Sequence, residues 1–434
     1  MTLNAKQIKY YTAKHFAVSD YWQLMSDDYR RVFRLTSKVL PFRINNHVLE
    51  TLIDWPAFED DPMFRLLFPQ HGMLADKELA LLEAAEASGP EAETLAIRQI
   101  RNSLNPQPAG QLTDNCPDDG SGYVEGVQHK YAETALFFPS AGQTCHAYCS
   151  FCFRWPQFVG EAEWKMQARE TNRVVNYLSE HPEITDILIT GGDPMIMNAK
   201  TMARYLEPLL EVPSIQTIRI GSKSLTYWPY RYLTDPDTEA LMTLLAGVVG
   251  KGKSLAFMAH VNHWRELEHD ATQEAISALR SIGAVIRMQA PLLRHINDEP
   301  RTWAKIWERC VSSGIVPYYM FVERDTGPKE YFEVPLARAL DIYRDATTAV
   351  SGLARTARGP VMSTFHGKVT VDGVVTTPSG KAFSLRFLQA REKNLSGQSF
   401  LAQYNRSACW LDDLRPLPGQ SFPHDIAQPT RRSA

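Results

Sequence analysis

The densest chemistry in this sequence lies in Cys145-His-Ala-Tyr-Cys149-Ser-Phe-Cys152, three cysteines within eight consecutive positions. Three thiolates on so short a loop can face one point and bind three irons of a [4Fe–4S] cluster. The fourth iron is then open to a small molecule. Zinc is the other reading, with His146 as a strained fourth ligand. Cys116, Cys310 and Cys409 stand singly, and in a reducing compartment a tight cluster points to a metal rather than to disulfides. A second constellation, Ile189-Thr190-Gly191-Gly192-Asp193-Pro194, ends a β-prone run. Glycines at the C-terminal edge of a strand let backbone approach a ligand closely; the same residues alone would also make a tight turn.

The elements around these motifs follow a rhythm. Short β-prone runs are read at 134–138, 186–190, 216–220, 254–258, 284–288 and 315–322. Helix-like stretches follow them at 161–180, 199–210, 236–249, 270–282, 302–313 and 335–350. Six strand–helix repeats predict a parallel sheet with its helices on one side, curled by right-handed crossovers. Six units fall short of the eight of a closed barrel. The fold class read from the sequence is therefore α/β, a partial (β/α)6 parallel barrel over residues 126–351. A helical N-terminal region covers 1–125, and a small β-containing C-terminal region covers 352–434. The cysteine loop then follows the first barrel strand and the Gly-Gly-Asp turn the second, both on the catalytic rim of such folds. Asp372-Gly373 between two β-branched runs predicts a hairpin turn. The stretch after 390 reads as irregular, ending in a mobile Gln428-Pro-Thr-Arg-Arg-Ser-Ala.

Composition narrows the functional class. Of 434 residues, 44% are hydrophobic, enough for a large core and too many for a disordered chain. Lys plus Arg total 46 against 49 Asp plus Glu, a balance that argues against nucleic acid or an anionic membrane as partner. No apolar run is long enough for a membrane span. Met1-Thr2-Leu3-Asn4-Ala5-Lys6 lacks the charged start and apolar core of a secretion signal, so a cytoplasmic location is expected.

With Phe151 just before its last cysteine, the loop resembles that of the radical S-adenosylmethionine (SAM) superfamily. The likeness is closer still to the lysine 2,3-aminomutase family. Tyr21-Trp22, His129-Lys130-Tyr131, Cys152-Phe-Arg154, Gly191-Gly192-Asp193, Arg219-Ile-Gly-Ser222-Lys223, His260-Val-Asn262-His263 and Pro317-Tyr-Tyr319 occur in the family's order. The resemblance implies a 5′-deoxyadenosyl radical that takes hydrogen from an amino acid, followed by movement of its amino group to the adjacent carbon. It implies that Cys145, Cys149 and Cys152 hold the cluster. Gly191, Gly192, Asp193, Ser222, Asn262 and Gln289 would bind SAM. Arg154 matches the arginine that grips the substrate carboxylate, and Lys368 the lysine that carries pyridoxal 5′-phosphate (PLP). His260, His263 and Tyr319 fall near the PLP ring. A reductant such as flavodoxin or ferredoxin and a homo-oligomeric state are implied as well.

The sequence departs from the family in three places. Met362-Ser-Thr-Phe-His-Gly-Lys368 replaces a Gly-rich run before the lysine, and Thr134 stands where the family has a phosphate-holding arginine. Losing one such charged contact costs about 1.5–3 kcal/mol. The two carboxylates that hold the ammonium of lysine fall at Arg324 (or Asp325 with a one-residue shift) and Val361. A buried ammonium would then lack partners, so the expected substrate is an amino acid other than free lysine. Arg324 is expected to receive an acidic or polar side chain, unless it pairs with Glu323 or Asp325. Three other readings remain: a PLP-independent radical dehydrogenase or epimerase, an aminomutase acting on a protein-attached or carrier-attached substrate, and an iron–sulfur electron carrier or sensor.

Overall fold

A computed structural model describes residues 6–426. Met1–Ala5, on which the expected location rests, and the tail from Gln428 lie outside the described residues. Two short strands, β1 (Tyr10–Thr12) and β2 (Arg43–Asn45), pair antiparallel in the N-terminal region. All other strands join one eleven-stranded sheet, in chain order from one end to the other. They are β3 (Val127–Tyr131), β4 (Thr134–Phe137), β5 (Asp186–Ile189), β6 (Thr217–Ser222), β7 (Ser254–His260), β8 (Val285–Leu292), β9 (Val316–Val322), β10 (Arg358–Ser363), β11 (Gly367–Thr377), β12 (Gly380–Ala390) and β13 (Ser399–Gln403). From β4 to β10 every neighbouring pair is parallel. Antiparallel pairs flank this block at both ends.

The parallel strands β4, β5 and β6 alternate buried with half-buried positions, and along every strand successive side chains point to opposite faces of the sheet. Ile187, Ile189, Ile218, Ile220, Leu255, Phe257, Ile286 and Met288 are buried in one core with the crossover helices, including Leu206, Leu245, Leu279, Trp303 and Trp307. Each such aliphatic side chain contributes about 1.5–3 kcal/mol. Their strand neighbours Arg219, Met258, His260, Arg287 and Gln289 necessarily lie on the opposite face. That face carries most of the chemistry.

The two ends of the sheet approach one another through side chains. Lys130 on β3 donates to Thr364 O beside β11, the Lys368 ammonium lies 4.3 Å from the Tyr131 ring centroid, and Lys393 pairs with Glu133 at 3.6 Å. Among the described residues no helix is long and apolar enough to cross a membrane.

Several expectations are corrected. Asp372-Gly373 is no turn: β11 runs straight through it, and the register against β12 shifts between Val371 and Gly373, as a bulge does. The chain reverses instead between Thr377 and Gly380. Residues 161–170 carry only a short 3-10 turn at Ala162–Trp164, and the α-helix spans Thr171–Glu180. The preceding segment is drawn into the sheet edge, where Ala168 N donates to Phe138 O at 2.7 Å and Ser140 N to Ala168 O at 2.9 Å. The stretch after residue 390 is not irregular throughout, since β13 pairs with β12.

Candidate active site

The cysteine loop has little regular structure, so its backbone groups need partners from elsewhere. The N-terminal region supplies them. Tyr148 N donates to Arg43 O at 2.8 Å and Ser150 N to Leu66 O at 2.9 Å. Asn45 Nδ2 donates to both His146 O, at 3.1 Å, and Tyr227 O, at 2.9 Å. Ala147 and Phe151 of the loop are buried among Phe16, Phe33, Phe42, Phe64 and Phe68.

Burial pushes the Cys145 thiol well up, Cys149 up to about 11 and Cys152 up to about 12, and each feels at least one of the other two sulfurs or their shared neighbours. The Cys149 sulfur lies 3.5 Å from the Tyr227 hydroxyl. No group of three or more His, Cys, Asp or Glu among the described residues is already placed around one metal position. Ligation requires loss of the protons that burial retains. Three buried sulfurs on one braced loop fit the donor set of an iron–sulfur cluster. His146, buried and held neutral, feels Arg231 and Arg43 rather than the thiols.

Beside the loop sits the Gly-Gly-Asp turn. Gly191 has φ +144°, and a Cβ there would come within 2.2 Å of the Gln143 side chain. A Cβ on Gly192 would lie 2.4 Å from Thr144 O. Only glycine permits this approach to the residues just before Cys145. Asp193 N donates to Thr144 O at 2.7 Å. Its carboxylate accepts from Met195 N, Ser222 Oγ, Lys223 N and Ser224 N at 2.8–3.0 Å. Asp193 thus joins the turn after β5 to the end of β6 through its carboxylate and to the cysteine loop through its backbone N–H.

A second knot lies next to it. Glu266, fully buried, accepts from Asn262 N at 2.7 Å and His263 N at 3.0 Å on one oxygen. The other oxygen takes Lys223 Nζ at 2.5 Å and Thr226 Oγ1 at 2.9 Å. Lys223 Nζ also reaches His260 O and Asn262 Oδ1. Asn262 keeps one buried donor, Nδ2, without a partner. Gln289 stands between His260 and Tyr319 in the ladder. His260 stacks on Phe151 of the cysteine loop at 5.7 Å, whereas His263 caps the turn that follows it. Burial lowers both imidazoles to about 3.

The other half of the site is cationic. Arg154 is 7% exposed, its guanidinium 4.1 Å from the Phe138 ring centroid, and its Nη1 has no partner. Arg154 and Arg324 both lie over Phe153, at 5.3 and 5.1 Å. Burial first, and then Arg324, lowers Arg154 to about 9. Neither acidic neighbour pairs with Arg324: Asp325 accepts from Gln107 Nε2 at 2.8 Å, and burial holds Glu323 well above the carboxylate range.

Lys368 donates to Gln389 Oε1 at 2.9 Å and lies between the rings of Tyr131 and Tyr319, at 4.3 and 5.9 Å. Burial, followed by the charges of Arg219 and Arg358, lowers its ammonium to about 7. An amine so easily deprotonated is a ready nucleophile toward a carbonyl. Tyr131, 7% exposed, has an unpartnered hydroxyl. Thr134 pairs with Tyr131 and Asp186 at one end of β4, and Val361 is wholly buried on β10.

The sequence-predicted residues thus gather in two groups, one around the cysteine loop and one around Lys368 and Arg324. Glu266, Arg43, Asn45 and the hydroxyl of Tyr131 were not singled out by sequence. For Glu266 the local signal covers only its capping bond to His263 N, three positions before it; its ion partner Lys223 lies 43 positions away. Tyr131 stood inside a family motif, which marked its position but no role.

No family model matches the chain. Over 294 residues it is 33% identical to a protein of Aquifex aeolicus (strain VF5) named "Putative L-lysine 2,3-aminomutase", covering 68% of this chain and 75% of that protein. The L-lysine 2,3-aminomutase of Clostridium subterminale is 25% identical over 289 residues, 62% of this chain and 66% of that one. That of Escherichia coli (strain K12) is 30% identical over 229 residues, 53% and 63%. The chain therefore spans slightly less than two thirds of these last two relatives. Among solved structures, SuiB of Streptococcus suis bound to S-adenosylmethionine matches with a TM-score of 0.35 and 12% identity, over 59% of this chain and 49% of that one. A radical SAM methyltransferase from Sphaerobacter thermophilus gives 0.36 and 15%, over 55% and 68%. Likenesses that slight support no conclusion about this chain.

Proposed function

The chain belongs to the lysine 2,3-aminomutase family of radical SAM enzymes, and from that premise we propose that it moves the amino group of an amino acid other than free lysine to the neighbouring carbon, using PLP on Lys368. The observation that carries the PLP assignment is the enclosed Lys368 amine, lowered to about 7 between two tyrosine rings. The same reading takes the sheet as a partial (β/α)6 barrel, with the polar face as its lumen.

When bound, the [4Fe–4S] cluster and SAM supply a 5′-deoxyadenosyl radical, and PLP supplies the carbonyl that lets nitrogen migrate. This chain's own residues do the rest. Cys145, Cys149 and Cys152 hold the cluster on a loop that the N-terminal region fixes. Gly191 and Gly192 offer close backbone approach to SAM, and the spare Nδ2 of Asn262 donates toward it, with Ser222 and Gln289 beside it. Asp193 and Glu266 hold these groups in register. Arg154 grips the substrate carboxylate with its unpartnered Nη1, and its stack on Phe138 fixes the fork. The enclosing side chains keep water from a reactive radical.

Anaerobic reconstitution with SAM, dithionite and β-deuterated amino acids tests this. Deuterium is expected in 5′-deoxyadenosine, together with a β-amino acid product. Deuterium transfer without a rearranged product would favour the PLP-independent dehydrogenase or epimerase, the reading that Thr134 supports. A visible absorbance band that PLP gives to the wild type and not to Lys368→Ala would reject that rival.

A further inference from the structure

We infer that the substrate is an acidic amino acid, its distal carboxylate received by Arg324, Lys130 and Tyr131 while Arg154 holds the α-carboxylate. This rests on the aminomutase reading above for the role of Arg154, and it adds the class of substrate.

Arg324 shares the Phe153 ring with Arg154, so two guanidinium groups are separated by little more than one side chain. Burial first, and then the charges of Arg324, Arg391 and Lys368, push the Lys130 ammonium well down, and among the described residues its hydrogen bond goes to the neutral Thr364 O. Arg391 contacts Asn115 Oδ1 and Asp114 O, both neutral. The buried Tyr131 hydroxyl has no partner and lies near Arg324 and Arg391.

Among the described residues no carboxylate forms an ion pair with Arg324 or Lys130. Asp186 is bound to Arg219 at 2.6 Å, Asp325 accepts from the neutral Gln107 and acts on Arg324 only from a distance, and burial pushes the Glu323 carboxyl well above the usual carboxylate range. Val361, completely buried, brings only methyl groups. Buried cations persist only when something pairs with them. One carboxylate answers Arg154 and leaves Arg324, Lys130 and the Tyr131 hydroxyl, a donor set suited to a second oxyanion. An ammonium at that place would meet like charges and no acceptor.

A PLP phosphate has the same chemistry, so the test has to separate the two anions. Holoenzyme reconstituted with cluster and PLP is titrated calorimetrically with L-aspartate, L-glutamate, L-2-aminoadipate, L-glutamine and L-lysine, and deuterium transfer from each is measured. At least one of the three acids is expected to bind and to donate deuterium in preference to glutamine and lysine. Arg324→Met should weaken its binding by about 10- to 150-fold, the loss typical of one charge-assisted hydrogen bond. PLP absorbance should stay unchanged, and Arg324→Lys should restore part of the affinity. Loss of PLP affinity in Arg324→Met, with amino-acid preference unaltered, would assign these cations to the phosphate and overturn the inference. So would failure of all three acids to bind, or a rearranged product from non-acidic amino acids alone; in that last case the aminomutase reading survives. Deuterium transfer from an acid without rearrangement has the opposite meaning, supporting the acidic substrate and removing the aminomutase.

Discussion

The two groups of site residues treat charge in opposite ways. Beside the cysteine loop the buried carboxylates of Asp193 and Glu266 are saturated by the protein itself, with four donors each. In the group around Arg324 the basic side chains of Arg154, Arg324 and Lys130 meet rings and neutral oxygens instead. A charge that serves as permanent scaffold is best paired within the fold, because an orphaned buried ion is costly. A charge intended for a ligand has to be left open, and the fold bears that cost until the ligand binds. The contrast separates the part of the site that positions from the part that recognises.

The largest expected effect tests the positioning half. Cys149→Ala should abolish both iron incorporation on anaerobic reconstitution and SAM cleavage. Iron bound at the wild-type level in that variant would remove the cluster from this loop.

Glu266→Ala should come next, with a loss of about 3–5 kcal/mol, the range for breaking a buried ion pair from one side. Chemical denaturation measures it. A loss below about 1 kcal/mol, the surface-pair range, would show that Glu266 is no scaffold and would blur the contrast. Gly192→Ala should follow at about 1–3 kcal/mol, because its methyl would press on Thr144 backbone, and SAM cleavage should fall with it.

The recognising half should respond with the other sign. Arg154→Met, measured without amino acid, should leave stability unchanged or raise it by about 0.5–2 kcal/mol while activity is lost. A destabilisation as large as that of Glu266→Ala would mean that Arg154 is structural, and the distinction between the halves would fail.

What the sequence made legible follows the same division between local and distant causes. Thiol spacing, paired glycines and the strand–helix rhythm are local, and the observed β6, β7 and β9 overlap the β-prone runs at 216–220, 254–258 and 315–322. The helix Ala199–Leu210 has the bounds its pattern predicted. Asp372-Gly373 carries turn chemistry, yet β12 offers continuous pairing there, and a bulge accommodates it. Residues 161–170 have helical composition, but Phe138 O and Ser140 N need partners that only an extended Ala168 provides. The Lys223 partner of Glu266 and the Lys368 neighbour of Tyr131 come from segments far away in sequence, which no window of local pattern contains.

A pH-dependent effect concerns Lys368, whose amine belongs to neither a saturated knot nor an open anion site. Its folded value of about 7 lies below the ordinary 10.5. Below about pH 7 folded and unfolded chains both carry the proton, and the cost of enclosing the charge is fully present. Between about pH 7 and 10.5 the unfolded chain binds a proton that the folded chain lacks, so stability rises with pH and the cost fades. Lys368→Met should therefore exceed the wild type in Tm at pH 6, with a margin that shrinks steadily toward pH 10. In the same window the neutral amine becomes available, so the visible band that PLP induces should grow in with a midpoint near pH 7. A midpoint near 10, or a Tm margin independent of pH, would mean that the enclosure leaves Lys368 an ordinary lysine. The amine would then need another cause for its reactivity.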